Sequence, residues 1–235
     1  FVREGTPFHG MLELKNTGTD STDEWRASIT MQHLNLTRHN DILTVNTLAS
    51  ADLSSLLSFA ASYHRPVNIG NGGALTVYGG YSDVSAEEIV PEIDLIGTGW
   101  FACLQASYNL VSNRKHLLNL ALSATYRGIE NTLSLQQSCD TGKADEQTDR
   151  VTIIPMTAAL SYSSVRPDGL GGRNFLSSQT AFNAGDTLGG SGSGELAAQR
   201  KNAEAGYVIE RIQVLRIQPW FGRTTREGVR SGEWI

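Results

Sequence analysis

The chain has 235 residues, a hydrophobic fraction of 40% and a formal net charge of -5. Nothing in this acidic balance suggests a nucleic-acid-binding surface, and no apolar run approaches the length of a membrane-spanning helix. The mean hydropathy of -0.23 would suit a soluble chain. It suits a transmembrane β-barrel equally well, because only alternate residues of each barrel strand face lipid.

Alternation of apolar and polar residues recurs along the chain and predicts strands, whereas helical periodicity is nearly absent. The predicted strands cover residues 10–16, 25–34, 41–50, 56–65, 74–82, 97–110, 116–129, 150–164, 173–183 and 204–220, and a further strand is predicted to begin at Gly232. In the strand before Trp220 the apolar residues change parity around Arg211 and Gln213. That strand is therefore the least regular of the set.

One face of these strands is apolar and the other is small or polar. We predict that Leu57, Phe59, Leu104, Leu118, Leu120, Leu122 and Leu160 face outward. The predicted inner row contains Ser58, Ser62, His64, Gln105, Asn119, Ser123, Thr125 and Arg127. A barrel strand between lipid and a wet lumen requires this division, and so does a sandwich strand with one face in a dry core.

The predicted connections alternate in length, and this favours the membrane. Residues 81–96, 130–149 and 184–203 form long segments, whereas residues 35–40, 112–115 and 165–172 form short ones. Outer-membrane barrels combine long external loops with short periplasmic turns, and aromatic girdles mark their two interfaces. Aromatic residues near predicted strand ends are Trp25, Tyr63, Tyr78, Trp100, Tyr108, Tyr126, Tyr162, Phe182 and Trp220. We therefore predict an all-β fold, an antiparallel up-and-down transmembrane β-barrel with about ten or eleven strands present.

No catalytic, cofactor-binding or metal-binding site is predicted, and we expect no enzyme. The histidines His9, His33, His39, His64 and His116 are scattered, and the acidic residues Asp145, Glu146 and Asp149 are interpreted as solvated loop charges. The glycine-rich run 189–194 matches a nucleotide-binding pattern through Ala197, but its flanks are predicted antiparallel strands rather than a βαβ unit. We interpret it as a flexible loop. Cys103 and Cys139 are predicted to be two free thiols or a single bridge.

Several short motifs, taken in order, resemble one known family. The opening Glu4-Gly5-Thr6-Pro7-Phe8-His9-Gly10 resembles its passage from the last periplasmic POTRA strand into the barrel. Residues 26–43 resemble the strand, tight turn and strand that follow, and Tyr63-His64-Arg65-Pro66 matches a recurring strand end. Further matches are Tyr126-Arg127, Ile154-Pro155-Met156, Ser161-Tyr162, Arg200, Ala203, Gln218 and Gly232-Glu233-Trp234. The family is that of the hemolysin secretion/activation proteins, the outer-membrane half of two-partner secretion systems within the BamA superfamily.

The resemblance implies that residues 1–8 end a POTRA domain and that residues 9–235 form the N-terminal and middle part of a barrel. The opening residues are not a signal peptide, so we expect the chain to be a piece of a longer polypeptide. The implied function is translocation of an unfolded exoprotein across the bacterial outer membrane. Its partners would be that exoprotein and membrane lipid, with no nucleic acid, and the barrel would be monomeric. A related barrel that assembles membrane proteins, a simple channel and a soluble β-sandwich binding module remain alternatives.

Overall fold

A computed structural model describes residues 6–18, 23–90, 93–135, 145–199 and 203–219, with side chains described outside 86–95, 133–147 and 198–200. The strands are β1 Phe8–Asn16, β2 Trp25–Leu34, β3 Ile42–Ser50, β4 Leu56–Val67, β5 Gly73–Val90, β6 Ile93–Ser112, β7 His116–Leu135, β8 Asp145–Ile153, β9 Pro155–Ser164, β10 Arg173–Ala184 and β11 Gly206–Ile217. A 3-10 turn at Gly185–Leu188 and a short helix, α1 Ser193–Gln199, lie between β10 and β11. Among the described residues, no helix is long and apolar enough to cross a membrane.

All of these strands belong to one antiparallel sheet whose order follows the sequence. β8 and β9 act as one strand against β7, since Arg127 pairs with Ile153 and Ala124 pairs with Met156 in a continuous register. Pro155 has no N–H to donate, and it interrupts the ladder between the two segments. The predicted sequence-order meander is confirmed, and the described strands do not form the two packed sheets of a sandwich.

The strand registers align the side chains of neighbouring strands, so the sheet has one apolar face and one polar face. Phe59 pairs with Tyr81 and Tyr81 pairs with Trp100, so their side chains share one face. The residues predicted to face outward lie on this apolar face: Leu57, Phe59, Leu104, Leu118, Leu120, Leu122 and Leu160. Those predicted for the inner row lie on the polar face: Ser58, Ser62, His64, Gln105, Asn119, Ser123, Thr125 and Arg127. The predicted division of side chains is confirmed.

The apolar face is not covered by any other part of the described chain. Leu104 is 53% exposed, Leu122 52% and Phe59 47%. Buried apolar residues are confined to Leu56, Cys103, Val151 and Ala205 among those described. A single sheet that leaves its apolar rows open has no dry core of its own, which is typical of strands whose outer row faces lipid.

In their described residues, two of the three predicted long loops are instead strand. Residues 81–90 continue β5 and residues 93–96 continue β6, where Ser85 pairs with Ile96. Residues 130–135 of β7 pair with residues 145–150 of β8. The sequence predicted loops there because both segments are rich in charged and small polar residues and contain Pro91 or Gly142, which are typical of turns. Polar residues pair across the strands in these extensions, as Arg150 Nη2 does with Glu130 Oε2 at 2.6 Å.

In the described part of the third predicted loop, the glycine-rich run 189–194 is hydrogen-bonded to β8. Ser191 N donates to Thr152 O at 2.6 Å, and Thr152 N donates to Ser191 Oγ at 3.0 Å. This segment therefore lies along the edge of β8 that β10 leaves open when it ends at Ala184. The side chain of Asn183 connects the residue between β8 and β9 to the residue before β11: its Oδ1 accepts from Ile154 N at 3.1 Å and its Nδ2 donates to Ala205 O at 2.7 Å.

β11 is shorter than predicted. The irregular alternation of its sequence arises because one charged residue lies on its apolar face. Glu210 lies on the apolar face, where its carboxylate accepts hydrogen bonds from Ser178 Oγ at 2.6 Å and from Thr180 Oγ1. Arg211 and Gln213 lie on the polar face, in register with Gln179 and Ser177. The strand predicted to begin at Gly232 lies outside the described residues, as does Cys139. Cys103 is a free, buried thiol.

Carboxylates fix two of the turns at the end of the sheet where β2 meets β3. In turn 35–41, Asp41 Oδ1 accepts from Thr37 N and Thr37 Oγ1, both at 3.0 Å. Desolvation raises the pKa of Asp41, but the bonds from Thr37 and His39 outweigh it and lower the pKa to about 2. In turn 165–172, the bond from Arg216 to Asp168 holds the pKa of that carboxyl well below its usual range.

Candidate functional site: the polar face of the sheet

The polar face consists of hydroxyl and amide side chains that bond to one another across strands. Asn46 Nδ2 donates to Thr30 Oγ1 at 2.7 Å, and Asn119 Nδ2 donates to Asn109 Oδ1 at 3.0 Å. His64 Nδ1 lies 2.9 Å from Thr76 Oγ1. Such pairs stabilise neighbouring strands, and they leave further donors and acceptors open to the space that the face borders.

Aromatic residues interrupt this face, among them Tyr78 and Phe101 on β5 and β6 and Phe175 on β10. Tyr78 lies against Phe101 with ring centroids 6.0 Å apart and an interplanar angle of 64°. Tyr78 was predicted to belong to an interfacial girdle, and this prediction is wrong: it pairs with Cys103 and Ser62 on the polar face. The error arises because a tyrosine near a strand end indicates an interface only if its parity matches the apolar row.

The apolar face carries aromatic residues at both ends, as an interfacial girdle would. At one end Trp100 stacks on Tyr126 with centroids 4.7 Å apart. At the other end His116 stacks on Tyr162 at 5.8 Å, with Nδ1 and the phenol oxygen 2.8 Å apart. The other described members of the predicted girdle, Trp25, Tyr63, Tyr108 and Phe182, also lie on this face. Trp220 lies outside the described residues.

The histidines are not brought together. His39 is bound to Thr37 within a turn, His64 to Thr76 and His116 to Tyr162. Within the described part of the chain, no group of three or more histidine, cysteine or acidic side chains could hold a metal ion. The glycine-rich run lies beside β8 and leads into a helix of one to two turns, α1 Ser193–Gln199, rather than into a βαβ unit.

Comparison with known proteins decides the family. The family model described as haemolysin secretion/activation protein ShlB/FhaC/HecB matches residues 2–145. The chain belongs to this family. No curated protein matches the chain. The haemolysin secretion/activation proteins are bacterial outer-membrane transporters, so this chain is part of an outer-membrane β-barrel.

The structure of CdiB from Escherichia coli has the same fold. The TM-score is 0.72 at 16% sequence identity, and the match covers 94% of this chain and 39% of the CdiB chain. The present chain therefore spans about two fifths of the length of CdiB. The likeness extends the fold beyond residue 145, where the family model ends, through β9, β10 and β11.

Sequence reasoning found the polar row but missed part of what the row contains. Lys15, Arg26 and Arg211 lie on the polar face. In its own strand each of these residues alternates with apolar residues, as Arg26 does with Ala27 and Ile29. That signal was present in the sequence, but the prediction used the four most regular strands.

Proposed function

We propose that the full-length protein passes an unfolded exoprotein across the outer membrane, as the transporter half of a two-partner secretion system. The observation that carries this proposal is the division of one sheet into an uncovered apolar face and a hydrogen-bonding polar face. Family membership supports it. A polar wall exchanges hydrogen bonds with a passing backbone as water does, so it neither strands polar groups nor offers apolar surface to which the chain would adhere.

The arrangement of the whole protein is part of the proposal. Residues 1–8 would end a periplasmic POTRA domain, and residues 9–235 would belong to a monomeric barrel whose apolar face contacts lipid. β1 would then run outward. The turns at residues 35–41 and 113–115 would be periplasmic, and the extensions of β5, β6, β7 and β8 would stand outside the cell. No cofactor and no covalent step enters this mechanism, and we propose that the protein is not an enzyme.

The test is deletion of the gene in its host, with restoration by the full-length protein. Expected is the loss of one large exoprotein from the medium, its accumulation or degradation in the periplasm, and unchanged levels of other outer-membrane proteins. A loss of several outer-membrane proteins would favour the membrane-protein assembly alternative. Unchanged secretion and unchanged outer-membrane composition would contradict both functions and leave a simple channel.

A further inference from the structure

The polar face carries an excess of positive charge. By register, its basic residues within the described strands are Lys15, Arg26, Arg127, Arg173 and Arg211, and its acidic residues are Glu13, Asp145 and Asp149. The whole chain has the opposite balance, with 24 acidic against 19 basic residues. Acidic residues outside the polar face lie in turns, such as Asp41, Asp52 and Asp168, and at the other parity of the strands, such as Asp83, Glu130 and Glu210. The positive wall is therefore a property of where residues are placed, not of overall composition.

Lys15 and Arg26 face each other directly across β1 and β2. Like charges in directly opposed positions of an antiparallel pair destabilise the sheet. Glu13 offsets part of this repulsion through an ion pair of 2.9 Å with Lys15, in which both side chains are exposed. These residues, with Ser28 and Asn46, line a depression of about 240 Å³ in the polar face. A concave surface that brings two basic side chains together attracts anionic groups.

Arg127 and Arg211 extend the positive surface to other strands. Arg127 pairs in register with Phe101 and Ile153, and Arg211 pairs with Gln179, so their cross-strand neighbours are uncharged. Within the described residues neither arginine takes part in an ion pair. Both side chains are exposed. Their charges therefore act on whatever occupies the space beside the polar face.

We propose that this wall binds anionic groups, and that acidic segments of the exported chain are its ligands. The inference rests on the proposed function for the identity of that chain. Rings of arginine and lysine select anions in pores, and charged walls of low dielectric concentrate the opposite charge. Attraction to carboxylates draws an acidic segment along the wall, while exposure to water keeps each contact weak enough to release it.

The test uses detergent-solubilised full-length protein and fluorescent polyglutamate and polylysine peptides of equal length. Expected is tighter binding of polyglutamate than of polylysine, weakening as salt rises because exposed charges are screened. The double variant Arg127→Gln/Arg211→Gln should bind polyglutamate less tightly. Arg65→Gln is the matched control, since it removes the same charge from a residue paired with Leu75 on the apolar face.

Equal polyglutamate affinity in the wild type and the double variant, or an equal loss in Arg65→Gln, would overturn the proposal. Reversal potentials across planar bilayers in a KCl gradient provide the second arm. A change of ion selectivity in the double variant without any change in peptide binding would assign the wall to small anions and reject acidic segments. Failure of the gene-deletion test would contradict the secretion function and leave the peptide-binding result intact.

Discussion

The indole of Trp100 occupies the place that a side chain at Gly128 would need. The two residues pair directly across β6 and β7, and a Cβ atom at Gly128 would lie 2.5 Å from Trp100 Nε1 and 2.7 Å from its Cε2. Glycine at this position allows the indole to lie over the neighbouring strand and to stack on Tyr126. The aromatic pair at this end of the apolar face thus depends on a residue without a side chain.

The first prediction concerns this contact. Gly128→Ala should displace the indole and lower the unfolding free energy of the full-length protein by about 1–3 kcal/mol, as overpacking does elsewhere. Reversible unfolding in lipid, followed by tryptophan fluorescence, measures the change. Gly99→Ala is the control, because a Cβ there meets only Gly128 O at an ordinary 3.9 Å. Equal stability of the two variants would show that the indole moves without cost.

The second prediction tests the two faces of β7. Leu122→Arg, on the apolar face and midway along β7 between the aromatic residues at its two ends, should cost about 2–4 kcal/mol, because a charge near the membrane midplane must leave water. Ser123→Arg, on the polar face, should be tolerated far better. Unfolding free energies of both variants in lipid bilayers provide the measurement. If the two substitutions cost the same, either the faces are reversed or the sheet does not border lipid.

The third prediction is a pH dependence at turn 35–41. The pKa of Asp41 in the folded protein is lowered to about 2, so its carboxylate stabilises the fold above its unfolded pKa of roughly 4. That stability should be lost as the pH falls from about 4 towards 2, because the folded state must then take up a proton that the unfolded state already holds. Asp41→Asn should flatten the dependence in this window. Thr37→Ala should reduce it partly, since Thr37 Oγ1 donates to Asp41 at 3.0 Å; an unchanged slope in both variants would be inconsistent with the hydrogen bonding described.

The fourth prediction concerns Asn183, which is 5% exposed and binds both Ile154 N and Ala205 O. Asn183→Ala should leave these two backbone groups without their partner at a cost of about 1–3 kcal/mol each if they stay buried. The segment along β8 should then loosen. Hydrogen exchange at Ser191 N, which bonds to Thr152 O, reports this directly. Thr187→Ala is the control, since it removes a hydrogen bond to Ala184 O in the same segment and should leave hydrogen exchange at Ser191 unchanged. Equal exchange protection of Ser191 N in the two variants would show that Asn183 does not hold the segment in place.

The fifth prediction tests the proposed orientation with an impermeant thiol reagent on intact cells. In the full-length protein carrying Cys139 alone, that thiol should react, because the connection after β7 is expected outside. A single cysteine at Asn113, in the short turn before β7, should be protected. Labelling at position 113 with protection at Cys139 would invert the topology, and with it the proposed position of a POTRA domain before the barrel.

The sequence predicted the meander and both faces because alternation in strands such as β7 is a local property that the register then carries to its neighbours. It failed for the extensions of β5, β6 and β7. Residues 81–96 and 130–149 are rich in charged and small polar residues, and Pro91 and Gly142 within them indicate turns. The docking of Ser191 on Thr152 could not be predicted either, because it depends on β10 ending at Ala184 and thereby exposing an edge. Tyr78 was assigned to the wrong face because its neighbour Val77 occupies the apolar row, and adjacent residues of a strand face opposite sides.

The two-residue repeat of side chains also constrains how this barrel tolerates insertions and deletions. Removing one residue within β7 would turn every side chain beyond it to the other face, so Leu120 and Ser123 would exchange environments. Changes in strand length should therefore accumulate in steps of two. Odd changes need a place where the register is already interrupted, and the described strands have two, between Ala86 and Val90 and between Asn109 and Val111. Among relatives of different length, single-residue differences should collect at these two irregularities and in the turns, where they alter the geometry of the chain without reversing its faces.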